Sequence, residues 1–155
     1  MVDLVKYSGY WHEIFKIPFV WEQGCVDTRA EYQVIGKSKL SVKNTCILST
    51  GQEYSRTGIA KVVPDNILSL KNDKVMQKLT IEFTDGLPSS GIGNYWIHWT
   101  DYEYSIVGGP GTNFLWLLGR SLEITTQDLE SFKEYVSDLG YDFSQVVMQD
   151  NVMII

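Results

Sequence analysis

Apolar and polar residues alternate with a period of two over most of the chain, in short runs separated by turn residues. This is the pattern of half-buried β-strands. Such runs cover 9–17, 28–35, 40–48, 56–63, 78–83, 95–100, 104–108 and 114–120. Pro18 ends the first, and Gly36-Lys37-Ser38 folds the second and third into a hairpin. Pro64-Asp65-Asn66, the stretch 85–93 and Gly108-Gly109-Pro110-Gly111 supply turn chemistry between later runs. One segment breaks the alternation. Leu129, Phe132, Val136 and Leu139 recur at helical spacing, behind Thr125 or Thr126 as N-cap, with Asp128 in the first turn and Gly140 as the stop. Its single apolar stripe predicts a helix lying against the outside of something. A last short strand is expected at 146–148. The whole predicts an all-β fold: one domain over 1–155, an eight-stranded antiparallel up-and-down β-barrel with one C-terminal α-helix packed outside. A β-sandwich is the alternative on pattern alone.

Alternation also sorts the two faces of each strand. If Trp11 points inward, Glu13 and Phe15 do too. The apolar phase then selects Ala30, Tyr32 and Val34, followed by Leu40, Val42, Asn44 and Cys46. Arg56, Gly58, Ala60 and Val62 follow on the fourth strand, and Leu79, Ile81 and Phe83 on the fifth. Tyr95, Ile97 and Trp99, then Ser105 and Val107, then Phe114, Trp116 and Leu118 complete the wall. Such a lumen is apolar and aromatic with a few polar groups, which is how ligand sites are built. The expected ligand contacts are Tyr32, Val42, Asn44, Arg56, Ala60, Ile81, Phe83, Tyr95, Ile97, Trp99, Phe114 and Trp116. For each of them plain core packing is the alternative, and it is preferred for Val34 and Leu118 near the closed end. Glu13 needs hydrogen bonds if buried, and Asn44 and Tyr32 lie in phase to supply them. Arg56 falls near the open end, where it either meets an anionic head group or extends to water.

Composition narrows the function. The formal net charge of −6 argues against nucleic acid as a partner. Five Trp and nine Tyr among 155 residues fit strands and a ligand cavity. No metal constellation or phosphate-cradling loop appears, so neither metal nor cofactor is expected. The two histidines, His12 and His98, fall in the outward phase, which leaves a catalytic dyad without its base. Cys46, inward near the mouth, is the one residue that sustains an enzymatic alternative, as a thiol attacking a lipid peroxide. No signal peptide is visible, so a cytoplasmic chain with Cys25 and Cys46 reduced is expected. The loops 18–24 and 85–94 carry Phe19, Val20, Trp21, Leu87 and Ile92. They are read either as a peripheral membrane contact or as a lid over the mouth. A monomer or homodimer is expected.

Three short motifs sharpen this. Gly9-Tyr10-Trp11 resembles the GxW motif that opens the lipocalin barrel, and Thr100-Asp101-Tyr102 resembles that family's TDY triplet. Arg120, closing Leu115-Trp116-Leu117-Leu118-Gly119-Arg120, is similar to the arginine of the third motif. Trp11 through Pro18, Gly24-Cys25-Val26 and Gly140-Tyr141-Asp142-Phe143-Ser144 resemble the branch of bacterial lipocalins, plant temperature-induced lipocalins and apolipoprotein D. The resemblance covers nearly the whole chain. It implies a barrel closed at one end and the binding or transport of a small hydrophobic ligand, fatty acid or lysophospholipid in kind, linked to membrane lipid handling. An interaction module with a filled lumen is the alternative. The bulky pair His98-Trp99 departs from the family pattern and bears on pocket size. Physically, Trp11 plugs the narrow end and Arg120 lies on its indole face, so Gly9, Trp11 and Arg120 are assigned to structure.

Overall fold

The computed structural model describes residues 1–17, 24–64, 75–84 and 94–155. The chain opens with a one-turn helix α1 (Leu4–Tyr7), capped by the Asp3 carboxylate, which accepts from the Val5 and Lys6 N–H groups. Eight strands follow: β1 (Gly9–Ile17), β2 (Cys25–Gly36), β3 (Lys39–Leu48), β4 (Glu53–Val62), β5 (Gln77–Phe83), β6 (Tyr95–Thr100), β7 (Tyr104–Gly108) and β8 (Leu115–Gly119). Each pairs antiparallel with its sequence neighbour, and β8 returns to pair with β1, so the sheet closes on itself. This is the barrel expected from alternation, and closure excludes the sandwich.

Beyond the barrel lie β9 (Glu123–Ile124) and helix α2 (Thr126–Asp138), whose N-cap is Thr125. Gly140 leaves α2 in the left-handed region at φ 100°, a conformation glycine adopts without a Cβ penalty. A 3-10 turn at Phe143–Gln145 leads to β10 (Val147–Met148), and β11 (Met153–Ile154) pairs parallel with β9. Neither α1 nor the β9–β11 pair is foreseen by the hydrophobic pattern, because each is too short to show a period.

Two apolar cores result. One fills the barrel, with Trp11, Tyr32, Leu40, Val42, Ala60, Leu79, Ile97, Val107 and Leu118, closed from below by Val2, Leu4 and Tyr7 of the N-terminal segment. The other lies between the outer wall and α2, where Ile14, Ile106, Leu115 and Leu117 meet Val136, Phe132, Leu129 and Tyr141. Strands β1 and β6–β8 are thus buried on both faces. Val34 was expected to pack inside, but it is 42% exposed although it pairs with the buried Leu40.

Bulges in β1 and β6 reset the inward phase. In β1 the register with β8 shifts between Glu13 and Phe15, so Ile14 and Phe15 both face the outer core. Phe15 is therefore not a lumen residue; its ring meets Phe143 edge-on at 5.4 Å. In β6 the register shifts between Ile97 and Trp99, so His98 and Trp99 both face outward. Trp99 packs on Phe132 of α2 at 5.7 Å instead of lining the lumen. The His98 ring shares a 3.2 Å hydrogen bond with the Tyr141 hydroxyl.

Candidate ligand site in the barrel lumen

The closed end is built around one aromatic ring. Trp11 is fully buried, its indole N–H donates to the Tyr7 carbonyl at 2.8 Å, and the Arg120 guanidinium lies 3.7 Å from its ring centroid. Arg120 then donates three hydrogen bonds, to the Tyr102, Tyr10 and Lys6 carbonyls at 3.0, 2.9 and 2.8 Å. The Thr100-Asp101-Tyr102 turn presents that first carbonyl. Asp101 Oδ1 accepts from the Glu103 and Tyr104 N–H groups, Thr100 Oγ1 accepts from the Tyr102 N–H, and Tyr102 takes φ 71°. At Gly9 (φ 101°) a Cβ would sit 3.3 Å from Arg120 Nη1. Gly9, Trp11 and Arg120 thus meet at the closed end.

Above this plug a bar of hydroxyls crosses the lumen. Tyr32 on β2 and Tyr95 on β6, which are not neighbouring strands, share a 2.7 Å hydrogen bond between their phenols. Tyr7 continues the chain to Tyr95 at 3.3 Å and to Ser105 at 2.9 Å. Burial pushes the Tyr7 phenol up to about 12, despite its hydrogen bonds to Ser105 and Tyr95. Burial likewise raises Tyr32 and Tyr95 well above the ordinary phenol range, and Tyr7 adds to both shifts. All three stay neutral and able to donate at physiological pH. Tyr7 was missed at sequence level because it precedes the first strand. Glu13 is buried at 6% exposure, close enough to Tyr32 to contribute to its shift. The Tyr32 phenol is also engaged with Tyr95.

Toward the mouth the wall changes character. Val42, Ala60, Ile81 and Ile97 are buried, and Phe114 stacks on Trp116 with an interplanar angle of 8°. Arg56 sits opposite Asn44, and its guanidinium lies 3.9 Å from the Phe83 ring centroid. It is thus laid across the wall, half-buried. The bulge at Ile14 turns a second basic side chain inward. Lys16 pairs with Trp116, shares its face and is buried, where unbroken alternation had placed Phe15.

Lys16 belongs to a seam. Strand β1 pairs with β2 only from Gly9 to His12, and nearer the mouth its edge pairs with β10. Gln149 closes the gap that remains. Its N–H donates to the Ile14 carbonyl, and its amide group donates to the Val26 carbonyl at 3.1 Å. The amide oxygen accepts from Lys16 Nζ at 3.2 Å and Thr28 Oγ1 at 3.3 Å, the orientation that satisfies every partner. Beside the seam, Cys25 and Cys46 form a disulfide with Cα atoms 5.4 Å apart. This corrects the expectation of reduced thiols: β2 is bulged at Val26, which brings Cys25 back within reach of Cys46. It also removes the free thiol on which the peroxide-attacking alternative depended.

Of the expected lumen contacts, Tyr32, Val42, Arg56, Ala60, Ile81, Phe83, Tyr95, Ile97, Phe114 and Trp116 lie together on the inner wall, Asn44 shares their phase, and Trp99 does not. The loop residues Phe19, Val20, Trp21, Leu87 and Ile92 lie outside the described residues. Among the described residues no group of acidic, histidine or cysteine side chains is placed to hold a metal ion, and no helix is long and apolar enough to cross a membrane.

Comparison with known proteins agrees with this architecture. The chain is 29% identical to mouse (Mus musculus) apolipoprotein D over 157 residues, covering 96% of this chain and 76% of that one. It is 25% identical to temperature-induced lipocalin-1 of Arabidopsis thaliana over 149 residues, covering 94% and 77%. Lobster apocrustacyanin A1 superposes with a TM-score of 0.69 at 18% identity, covering 94% of this chain and 77% of that one, which establishes likeness of fold. The family model of the lipocalin-like domain matches residues 2–151, and the protein is therefore a member of the lipocalin family, whose barrels bind and transport small hydrophobic molecules.

Proposed function

We propose that the protein binds a single-chain lipid with an anionic head group, such as a fatty acid or lysophospholipid, in the mouth-side half of the lumen. The observation that carries this reading is the division of the lumen. Phenols bridge its lower half, while the upper half joins an apolar and aromatic wall to the inward Arg56. A tail entering first reaches the tyrosine bar and stops, leaving its head level with Arg56. Catalysis plays no part in this reading, and a link to membrane lipid handling would follow from the ligand class.

Titration of a fatty acid against its neutral alcohol analogue tests it. A charge-assisted hydrogen bond is worth about 1.5–3 kcal/mol, reduced to about 1 kcal/mol for a half-exposed partner. Arg56→Gln should therefore weaken the acid several-fold and leave the alcohol nearly unchanged, and Arg56→Lys should fall between. Equal losses for both ligands would assign Arg56 to packing. A protein that saturates with no lipid of any class would favour a filled lumen and an interaction role.

A further inference from the structure

We propose that the cleft between α2 and the β6–β7 corner is a second binding site, on the outer wall, for a small organic cation of the quaternary ammonium class. The cleft has a volume of about 410 Å³ and is lined by Trp99, Tyr104, Phe132, Tyr135, Asp101 and Asp128, with Ser131 at its edge. That size lies within the range of small-ligand clefts. Four of its walls are aromatic rings, and Phe132 packs between Trp99 at 5.7 Å and Tyr104 at 5.0 Å, which fixes them relative to one another. Electron-rich rings attract a cation with little hydration to lose, and a methylated ammonium is such a cation.

The charges around the cleft point the same way. Asp101 lies in the β6–β7 turn and Asp128 in α2, and among the described residues neither makes an ion pair. No basic side chain lines the cleft. The nearest lysine along the helix, Lys133, is directed at Phe143, 5.2 Å from its ring. Burial raises the Tyr104 phenol, and the negative charges of Asp128, Asp101 and Glu103 bear on it in the same direction. Asp128 also favours the N-terminal end of α2, but that role requires neither Asp101 nor a cleft walled by rings. The bulge that removes Trp99 from the lumen is what places its ring here.

An amide NMR titration of the full chain with choline, and with its neutral carbon isostere dimethylbutanol, tests the site. Choline should shift the amides of 99–104 and 126–135 saturably at millimolar concentration, while dimethylbutanol at equal concentration should not. Asp128→Asn should weaken choline several-fold, and Tyr135→Leu should act in the same direction, both with folded-state spectra retained. Equal shifts from the two compounds, no saturation, or choline affinity unchanged in both variants would overturn the proposal. So would choline shifts confined to lumen residues. Shifts at the cleft produced by an arginine-rich peptide but not by choline would replace it with a partner-protein surface.

Discussion

Arg120 illustrates how one side chain can hold three separate segments at the closed end. Its planar fork reaches carbonyls from α1, β1 and the β6–β7 turn while its face covers Trp11. Removing the indole should cost roughly 3–5 kcal/mol, the usual range for a large buried aromatic, so Trp11→Ala should lower the urea midpoint sharply at unchanged slope. Arg120→Lys keeps the charge but cannot reach three carbonyls; water can meet the exposed Tyr10 and Lys6 acceptors, so the loss should be about 1 kcal/mol. A Lys variant as stable as the parent would show that the cation–π contact alone suffices. Arg56 is oriented differently, by the Phe83 ring beneath its guanidinium.

At the scale of strands, the bulges decide which aromatics see a ligand. Trp116 lines the lumen and Trp99 does not. Ligand-dependent fluorescence should therefore survive Trp99→Phe and fall markedly with Trp116→Phe; the reverse would mean that β6 runs unbulged. Strand alternation made the barrel, its strand order and most of the inner wall legible before any coordinates, because period two persists wherever pairing is regular. It failed at Phe15, Lys16 and Trp99, where one extra residue shifts the phase of everything after it. A local signal existed in each case. Ile14-Phe15 and His98-Trp99 are pairs of bulky residues in sequence, and both members can be buried only if both face a second core. The helix supplying that core was itself readable from its spacing. Gln149 and Tyr7 were illegible, since each acts from a segment too short for periodicity. The disulfide belongs here too: it closes a 21-residue separation between β2 and β3, worth about 3 kcal/mol by loop-closure entropy. Cys25→Ser with Cys46→Ser should lose that amount in denaturant titration, and the parent under reducing conditions should match the double variant.

For the whole molecule, the buried phenols set an alkaline limit. Tyr7, Tyr32 and Tyr95 all have folded-state pKa values above the unfolded value near 10. Their contribution is fully present below pH 10 and is lost as pH rises toward the folded values, since the unfolded chain releases those protons first. For Tyr7, raised to about 12, this amounts to about 2–3 kcal/mol. Thermal midpoints should stay level up to about pH 9 and fall steeply above 10; Tyr32→Phe should soften the fall, and a flat profile through pH 11 would place the phenols in solvent. The seam at β1 has a consequence of another kind, in biosynthesis. One edge of β1 pairs with β2 soon after it is made, but the other must wait for β8, a partner about a hundred residues downstream. The gap nearer the mouth waits longer still, for Gln149, 121 residues beyond Thr28. Contacts so distant form late and slowly. Through most of its synthesis, then, the nascent chain carries an open strand edge flanked by Ile14, Phe15 and Ile17, and chaperones have their longest opportunity there.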